Sequence, residues 1–137
     1  ESLEPIAAIY GETFAAEGCI LQLVENESLV SSCGTFSQDG ILDNWLDKDP
    51  LIKEAITTSN MKVCVNVAKD EKLKEVAHYS DTNTKSHLVV PVVHANQVTA
   101  VLSLQWRKPC TLREDELKLI HFSAQLLAMI LNCADYG

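Results

Sequence analysis

The sequence predicts an α+β fold in which an antiparallel sheet carries helices on its faces. Two pairs of apolar segments, each pair separated by a short polar turn, predict β-hairpins at residues 19–33 and 87–106. Helical spacing of apolar residues predicts an opening helix over 3–14 and a closing helix over 111–133. The order of helix, hairpin, short elements, hairpin and helix separates strands from helices, as α+β folds do.

Composition excludes several classes of protein. The chain has 137 residues, of which 47% are hydrophobic, so one domain with one core is expected over residues 1–137. It carries 11 basic and 19 acidic residues, a formal charge of −8, whereas a nucleic-acid surface needs the opposite sign. No apolar stretch is long enough to predict a membrane-spanning helix.

The five cysteines are odd in number, scattered and without a C-x-x-C pair. This pattern argues against a disulfide framework and against a zinc site, so no metal site is predicted. A reducing compartment fits this usage best.

The middle of the chain predicts shorter elements. Short helices are expected at 41–46 and from Asp49-Pro50 onward, because Pro is favoured in a first helical turn. Strict alternation over residues 61–67 predicts a strand with four apolar residues on one face: Met61, Val63, Val65 and Val67. Residues 68–86 are polar and aperiodic, with one potential helical turn around Leu73 and Val76, and predict the longest irregular stretch.

The second hairpin has the longest strands and is expected at the sheet centre, with its turn at residues 94–97. Pro91 interrupts the first of these strands. Because proline has no N–H to donate, it must lie at a bulge or at an unpaired position.

The closing helix is predicted to start with a capping box formed by Thr111 and Glu114. It has two apolar stripes, although a helix on a single sheet needs only one. We expect the second stripe to meet another helix or to form a homodimer, through Leu119, Phe122, Leu126, Met129 and Ile130.

Three segments together resemble the signature of the GAF domain family. They are the strand 88–93 with its central Pro, the strand 98–104, and the helix start 111–117. Ala100 stands where the family usually has Gly, and Leu112 replaces an aromatic residue. The resemblance implies a five- or six-stranded antiparallel sheet, with the first and last helices on one face and a ligand pocket on the other.

The resemblance also implies a function. The chain is similar to regulatory sensory domains that are cut out of larger signalling proteins and that relay ligand or redox state through their terminal helices. Residues 103–106 are most similar to GAF domains of cyanobacterial and plastid sensor histidine kinases of two-component systems. A domain that is not an enzyme, in the cytoplasm or plastid stroma, is then expected. The alternative is a cofactor-free dimerisation or interaction module.

A pocket wall is expected from the polar-faced strand at 61–67, the loop after it and the adjacent strand. The candidate ligand-binding residues are Cys64, Asn66, His78, Tyr79, His87 and Val89. His87 is the imidazole best placed to face a pocket, whereas His78 is otherwise interpreted as a solvated loop residue.

Which cofactor the pocket would hold is unknown from sequence, and iron–sulfur and haem remain open. Relatives with a covalent bilin carry a Cys just before the Pro strand, and residues 68–86 contain none, so a covalent cofactor is not expected. A methionine sulfoxide reductase is a further, less favoured alternative, on the faint likeness of Cys33-Gly34 to its nucleophile turn.

Three cysteines are candidates for redox sensing: Cys19, Cys33 and Cys110. Cys110 precedes the closing helix, and a helix N-terminus lowers the pKa of a thiol. Cys110 is therefore expected to be the most reactive of them.

Overall fold

The computed structural model describes residues 4–25, 28–34 and 49–133. The helices are α1 (Glu4–Thr13), α2 (Pro50–Thr58), α3 (Ala77–Thr82) and α4 (Glu114–Cys133). The strands are β1 (Gly18–Glu25), β2 (Ser28–Gly34), β3 (Lys62–Cys64), β4 (Ser86–His94) and β5 (Gln97–Trp106). The predicted helix at 41–46 lies outside the described residues.

The strands form an antiparallel sheet in the order β2-β1-β5-β4-β3. Both predicted hairpins, the five-strand sheet and the central place of β5 are thereby confirmed. Ala95 and Asn96 have φ of 51° and 64° in the turn between β4 and β5. Two successive positive φ values are typical of the turn that suits the right-handed twist of a hairpin.

One face of the sheet packs against α1 and α4. Alternate residues of the central strands form this larger core with the inner stripe of α4, among them Leu88, Val90, Leu102, Leu104, Ile120 and Leu127. Tyr10 of α1 donates a hydrogen bond of 2.6 Å to Ser123 of α4. The first and last helices therefore lie on one face, as the resemblance implied.

The other face carries a smaller apolar cluster. Leu51, Ile52 and Ala55 of α2 belong to it, together with Ile20, Val89 and Val101 from the sheet. Pro50 begins α2 and Asp49 is its N-cap, which confirms the helix predicted from that pair. Alternation along β1, β4 and β5 thus divides each strand between two separate cores.

The prediction of a strand over residues 61–67 is wrong in length. The strand has only three residues, and Val63 and Val65 are 53% and 40% exposed whereas Cys64 is buried. The reason is position, because β3 is a short edge strand that pairs only with residues 87–89 of β4. Pro91 lies beyond the end of β3, and the register shifts just after it, between Val92 and Val93.

Residues 68–86 are more regular than predicted. A 3-10 helix at Val67–Lys69 and helix α3 fill much of this stretch. Asn66 Oδ1 accepts from the Ala68 N–H at 3.1 Å and caps the first of them. His78 is 2% exposed, so its interpretation as a solvated residue is wrong.

The predicted capping box at Thr111 and Glu114 is also wrong. Helix α4 begins at Glu114, and the Glu116 carboxylate accepts a hydrogen bond of 2.9 Å from the Arg113 N–H. Glu116 therefore satisfies the free N–H of Arg113, three residues before it, as the acidic residue of a capping box does. This pair lies two residues later than the predicted pair.

Gly34 is required by its backbone. Its φ is +120°, and a Cβ added there would lie 1.9 Å from the carbonyl oxygen of Cys19 on the neighbouring strand. We expect Gly34→Ala to lower the free energy of unfolding by about 3 kcal/mol, in urea denaturation. Gly11→Ala, in helix α1, is the control, because a Cβ at Gly11 would lie 3.4 Å from the Cβ of Cys19, an ordinary contact. This substitution should change the free energy of unfolding by less than about 1 kcal/mol. Equal stability of the two variants would contradict this account of Gly34.

Candidate functional site

A buried carboxylate connects the elements on the α2 side of the sheet. Asp49 is 0% exposed, and its Oδ1 accepts a hydrogen bond of 2.8 Å from the Leu51 N–H at the start of α2. The extended backbone of Asp49 and the proline after it fit an N-cap position. The second oxygen, Oδ2, is directed at α3.

Two consecutive residues of α3 bind that oxygen. His78 Nε2 lies 2.9 Å and the Tyr79 hydroxyl 2.7 Å from Asp49 Oδ2. His87 of β4 completes the group, with its Nδ1 2.8 Å from the Tyr79 oxygen and 3.5 Å from Asp49 Oδ2. These four side chains are called the Asp49 network below.

Short-range contacts hold α3 in place. The Thr82 hydroxyl donates to the His78 carbonyl at 2.8 Å, and the Thr84 N–H donates to the Tyr79 carbonyl at the same distance. Asn83 ends the helix with φ of 58°, a conformation that asparagine tolerates. The two buried side chains of this single turn are thereby fixed against the sheet.

Burial and charge shift the titration of the network. Burial acts to raise the pKa of Asp49, but the His87 imidazole and the hydrogen bonds from His78 and Tyr79 outweigh it and lower that pKa below its ordinary value. Burial lowers the pKa of His87 to about 4. Burial and the nearby Asp49 charge raise the pKa of Tyr79. Near neutral pH the network therefore holds a carboxylate, a neutral His87 and a protonated Tyr79.

Within residues 4–25, 28–34 and 49–133, four buried polar atoms on the same side of the sheet have no hydrogen-bond partner. They are Gln22 Oε1, His87 Nε2, Ser103 Oγ and Gln105 Nε2. His87 and Gln105 are directly opposite each other on β4 and β5, and Ser103 is two residues from Gln105. These four residues are called the polar face below. Buried polar groups are nearly always satisfied, so such a cluster is typical of a place where water or a ligand binds.

The structure brings together most of the predicted pocket residues. His78, Tyr79 and His87 meet in the Asp49 network, and Cys64 and Val89 lie in the apolar cluster beside it. Asn66 does not join them, because its side chain caps the 3-10 helix and is half-exposed.

Sequence reasoning missed Asp49 and three members of the polar face. The sequence predicts Asp49 only as the start of a helix. Its Oδ1 alone meets that role, by accepting from the Leu51 N–H. A signal for the polar face was present in β5, where Ser103 and Gln105 alternate with apolar residues. That alternation predicts a polar surface opposite the helices.

The cysteines do not converge. Cys19 lies in the core under α1 and α4, whereas Cys64 lies on the opposite face of the sheet. Burial raises the pKa of Cys110, with Glu116 and Glu17 adding to it and Lys108 opposing it, so the lowered pKa expected there is wrong. Cys110 lies four residues before the start of α4, beyond the reach of its dipole. Cys33 pairs with Leu21 in the sheet, and its side chain lies outside the described part.

Helix α4 presents an apolar stripe to solvent. Its outward residues are 49% to 63% exposed: Leu119, Phe122, Leu126, Met129 and Ile130. Four of them recur at alternating intervals of three and four residues, the spacing of a coiled-coil seam. This set is called the α4 stripe.

Within residues 4–25, 28–34 and 49–133, no three His, Cys, Asp or Glu side chains are grouped as a metal site would require. Over the same residues, no helix combines the length and apolar character needed to cross a bilayer.

The family model of the GAF domain matches residues 6–132, and the chain belongs to this family. Its fold is similar to the GAF domain region of a putative membrane protein from Geobacter sulfurreducens PCA, with TM-score 0.72, 14% identity and coverage of 96% of this chain and 91% of the other. The GAF domain of the Acinetobacter phosphoenolpyruvate-protein phosphotransferase is similar as well, with TM-score 0.73 and 16% identity. That match covers 97% of this chain and 81% of the other.

A type II free methionine-R-sulfoxide reductase from Thermoplasma acidophilum is also similar, with TM-score 0.70, 15% identity and coverage of 93% and 87%. No curated protein sequence matches the chain. At these identities the likenesses show a shared fold, and a fold alone does not define a function.

The low pKa of His87 predicts how stability depends on pH. The unfolded chain binds a proton at an ordinary histidine near pH 6.5, whereas folded His87 does not until about pH 4. Acid therefore favours unfolding, and the free energy of unfolding should fall across this window by up to about 1.4 kcal/mol per pH unit from His87.

Urea denaturation at several pH values measures this loss. His87→Asn keeps an N–H donor near the position of Nδ1 but does not titrate, so its pH slope should be smaller by about one proton. His94→Gln, at the exposed end of β4, is the control and should keep the slope of the wild type. An unchanged slope in His87→Asn would show that His87 titrates normally in the fold.

Proposed function

We propose that this chain is the sensory domain of a signalling protein, in which a small molecule on the polar face alters how α4 pairs with α4 of a second copy. The observation that carries this proposal is the group of four buried, unpartnered polar atoms on the face opposite α1 and α4. A domain whose core served only stability would be expected to satisfy such atoms or to replace them by apolar ones.

The α4 stripe supports a second copy of this chain as the partner. Residues 119–133 contain no Asp, Glu, Lys or Arg, although the whole chain carries −8. Two acidic copies can therefore approach along this helix without opposing like charges. The seam spacing matches itself in a parallel pair, as a symmetric interface requires.

The same two strands connect both surfaces. In β5, Ser103 and Gln105 belong to the polar face, whereas Leu102 and Leu104 pack in the core with α4. A ligand that shifts β4 or β5 would therefore change the surface on which α4 rests. Close packing transmits such shifts because a core has few voids to absorb them.

The attached output is proposed to be a histidine kinase, as the resemblance of residues 103–106 implies, in the cytoplasm or the plastid stroma. Regulatory attachment also suits the fold, since a similar GAF domain belongs to a phosphoenolpyruvate-protein phosphotransferase. We propose that the chain itself is not an enzyme. The likeness of Cys33-Gly34 to a reductase turn has a structural explanation, because Gly34 is needed for its positive φ.

Leu126→Lys tests the partner. Burying this leucine from both copies contributes about 3 kcal/mol, so the substitution should weaken the dimer about 100-fold in sedimentation equilibrium. Val63→Lys, at an apolar residue of β3 that is 53% exposed against 63% for Leu126, is the control and should leave the dimer unchanged.

A wild-type chain that stays monomeric at high concentration would contradict both the proposed relay and the alternative of a plain dimerisation module. A dimer that resists Leu126→Lys would place the interface elsewhere.

A further inference from the structure

The Asp49 network fixes which nitrogen of His87 carries the proton. The Tyr79 hydroxyl has one proton, and Asp49 Oδ2, 2.7 Å away, is a carboxylate that can only accept it. The 2.8 Å hydrogen bond between Tyr79 and His87 must then take its proton from His87 Nδ1. A neutral imidazole has a single N–H, so Nε2 keeps a bare lone pair. That nitrogen is buried and has no hydrogen-bond partner among the residues that the structure describes.

The hydroxyl protons of Thr82 and Thr84 determine which way the Gln105 amide is turned. Thr82 Oγ1 lies 2.8 Å from the His78 carbonyl oxygen and 2.7 Å from Thr84 Oγ1. Thr84 Oγ1 in turn lies 2.9 Å from the side-chain oxygen Oε1 of Gln105. With Gln105 Oε1 toward Thr84, three contacts share only two hydroxyl protons. With the amide turned so that Nε2 donates to Thr84, every contact has a proton. This orientation exchanges the two amide positions given above, so that Nε2 faces Thr84 and Oε1 takes the position without a partner in the described part of the chain.

The residues that carry these two acceptors are neighbours in the sheet. His87 and Gln105 are directly opposite each other across β4 and β5, on the same face. Ser103 adds a hydroxyl two residues away, and Gln22 adds an amide on the next strand. In the described part of the chain, the buried polar side chains include Asp49 but no lysine or arginine. The Asp49 charge disfavours an anionic ligand here. The acceptors of His87 and Gln105 favour a ligand that presents N–H groups to them.

We propose that the polar face binds a neutral or cationic molecule through its N–H groups, accepted by His87 Nε2 and Gln105 Oε1. This names the ligand class for the sensory role proposed above and rests on it. Asp49 and Tyr79 act here as positioning residues, since they hold the His87 proton on Nδ1 and so leave Nε2 as the acceptor.

The tautomer of His87 is the first test. Long-range proton–nitrogen correlation NMR on the ¹⁵N-histidine-labelled chain at pH 7 distinguishes the two tautomers directly. The expected result is a protonated Nδ1 and an unprotonated Nε2. A protonated Nε2 would overturn the ligand class while leaving the sensory role and the α4 dimer untouched.

The second test compares three probes of one shape: benzamidinium, benzamide and benzoate. Each has about nine non-hydrogen atoms, so a dissociation constant of about 1 mM is expected for a fitting probe. Titrations followed by amide chemical shifts should show benzamidinium and benzamide at residues 87, 103 and 105, at least tenfold tighter than benzoate. Binding of benzoate as tightly as the other two would overturn the proposal.

Gln105→Leu removes one acceptor at similar volume and should weaken benzamidinium about tenfold, the loss of one hydrogen bond to a charged group. Thr99→Val, on the same strand and outside the polar face, is the control and should bind as the wild type does. Equal binding by both variants would remove Gln105 from the site. Iron or haem that co-purifies and is bound by His87 would also overturn the proposal, because a metal would then take the Nε2 lone pair.

Discussion

One buried carboxylate organises the α2 side of this domain. Asp49 caps α2 with one oxygen and binds His78 and Tyr79 of α3 with the other. Through Tyr79 it also orients His87 on β4. A buried charge is tolerated only when hydrogen bonds satisfy it, and here a cap and two side chains do so. The positions of α2, α3 and the polar face therefore depend on Asp49 staying ionised.

The sheet separates two different chemistries. Its α4 side is an apolar core, and the outer surface of α4 is apolar as well. Its α2 side combines an apolar cluster with the Asp49 network and four unpartnered polar atoms. This division suits a domain that binds a polar ligand on one side and reports it through a helix on the other. Both sides draw on alternate residues of the same strands, and this shared backbone is the basis of the relay that we propose.

Local patterns predicted the fold well. Each hairpin was readable because its strands are adjacent in sequence and joined by short turns, and α4 was readable from its period. The errors came where neighbours in space decide the outcome. Residues 61–67 alternate perfectly, yet β3 is an edge strand of only three residues, which pairs with residues 87–89 of β4.

The site was predicted only in part, for the same reason. His87 was predicted from its place near the start of a long strand, and Tyr79 was named with it; both belong to the Asp49 network. Asp49 could not be joined to them, since 29 positions separate it from His78 and only tertiary packing closes that distance. The prediction of a lowered pKa for Cys110 is wrong because α4 begins at Glu114, later than the sequence pattern indicated.

The most direct test of this account is the titration of the Asp49 carboxyl carbon by carbon-13 NMR. We expect the pKa of Asp49 to lie below its ordinary value of 3.8, because the His87 imidazole and the hydrogen bonds from His78 and Tyr79 together outweigh burial. A midpoint above 3.8 would mean that burial dominates. Asp49 would then not be the charge on which the network and the tautomer of His87 depend.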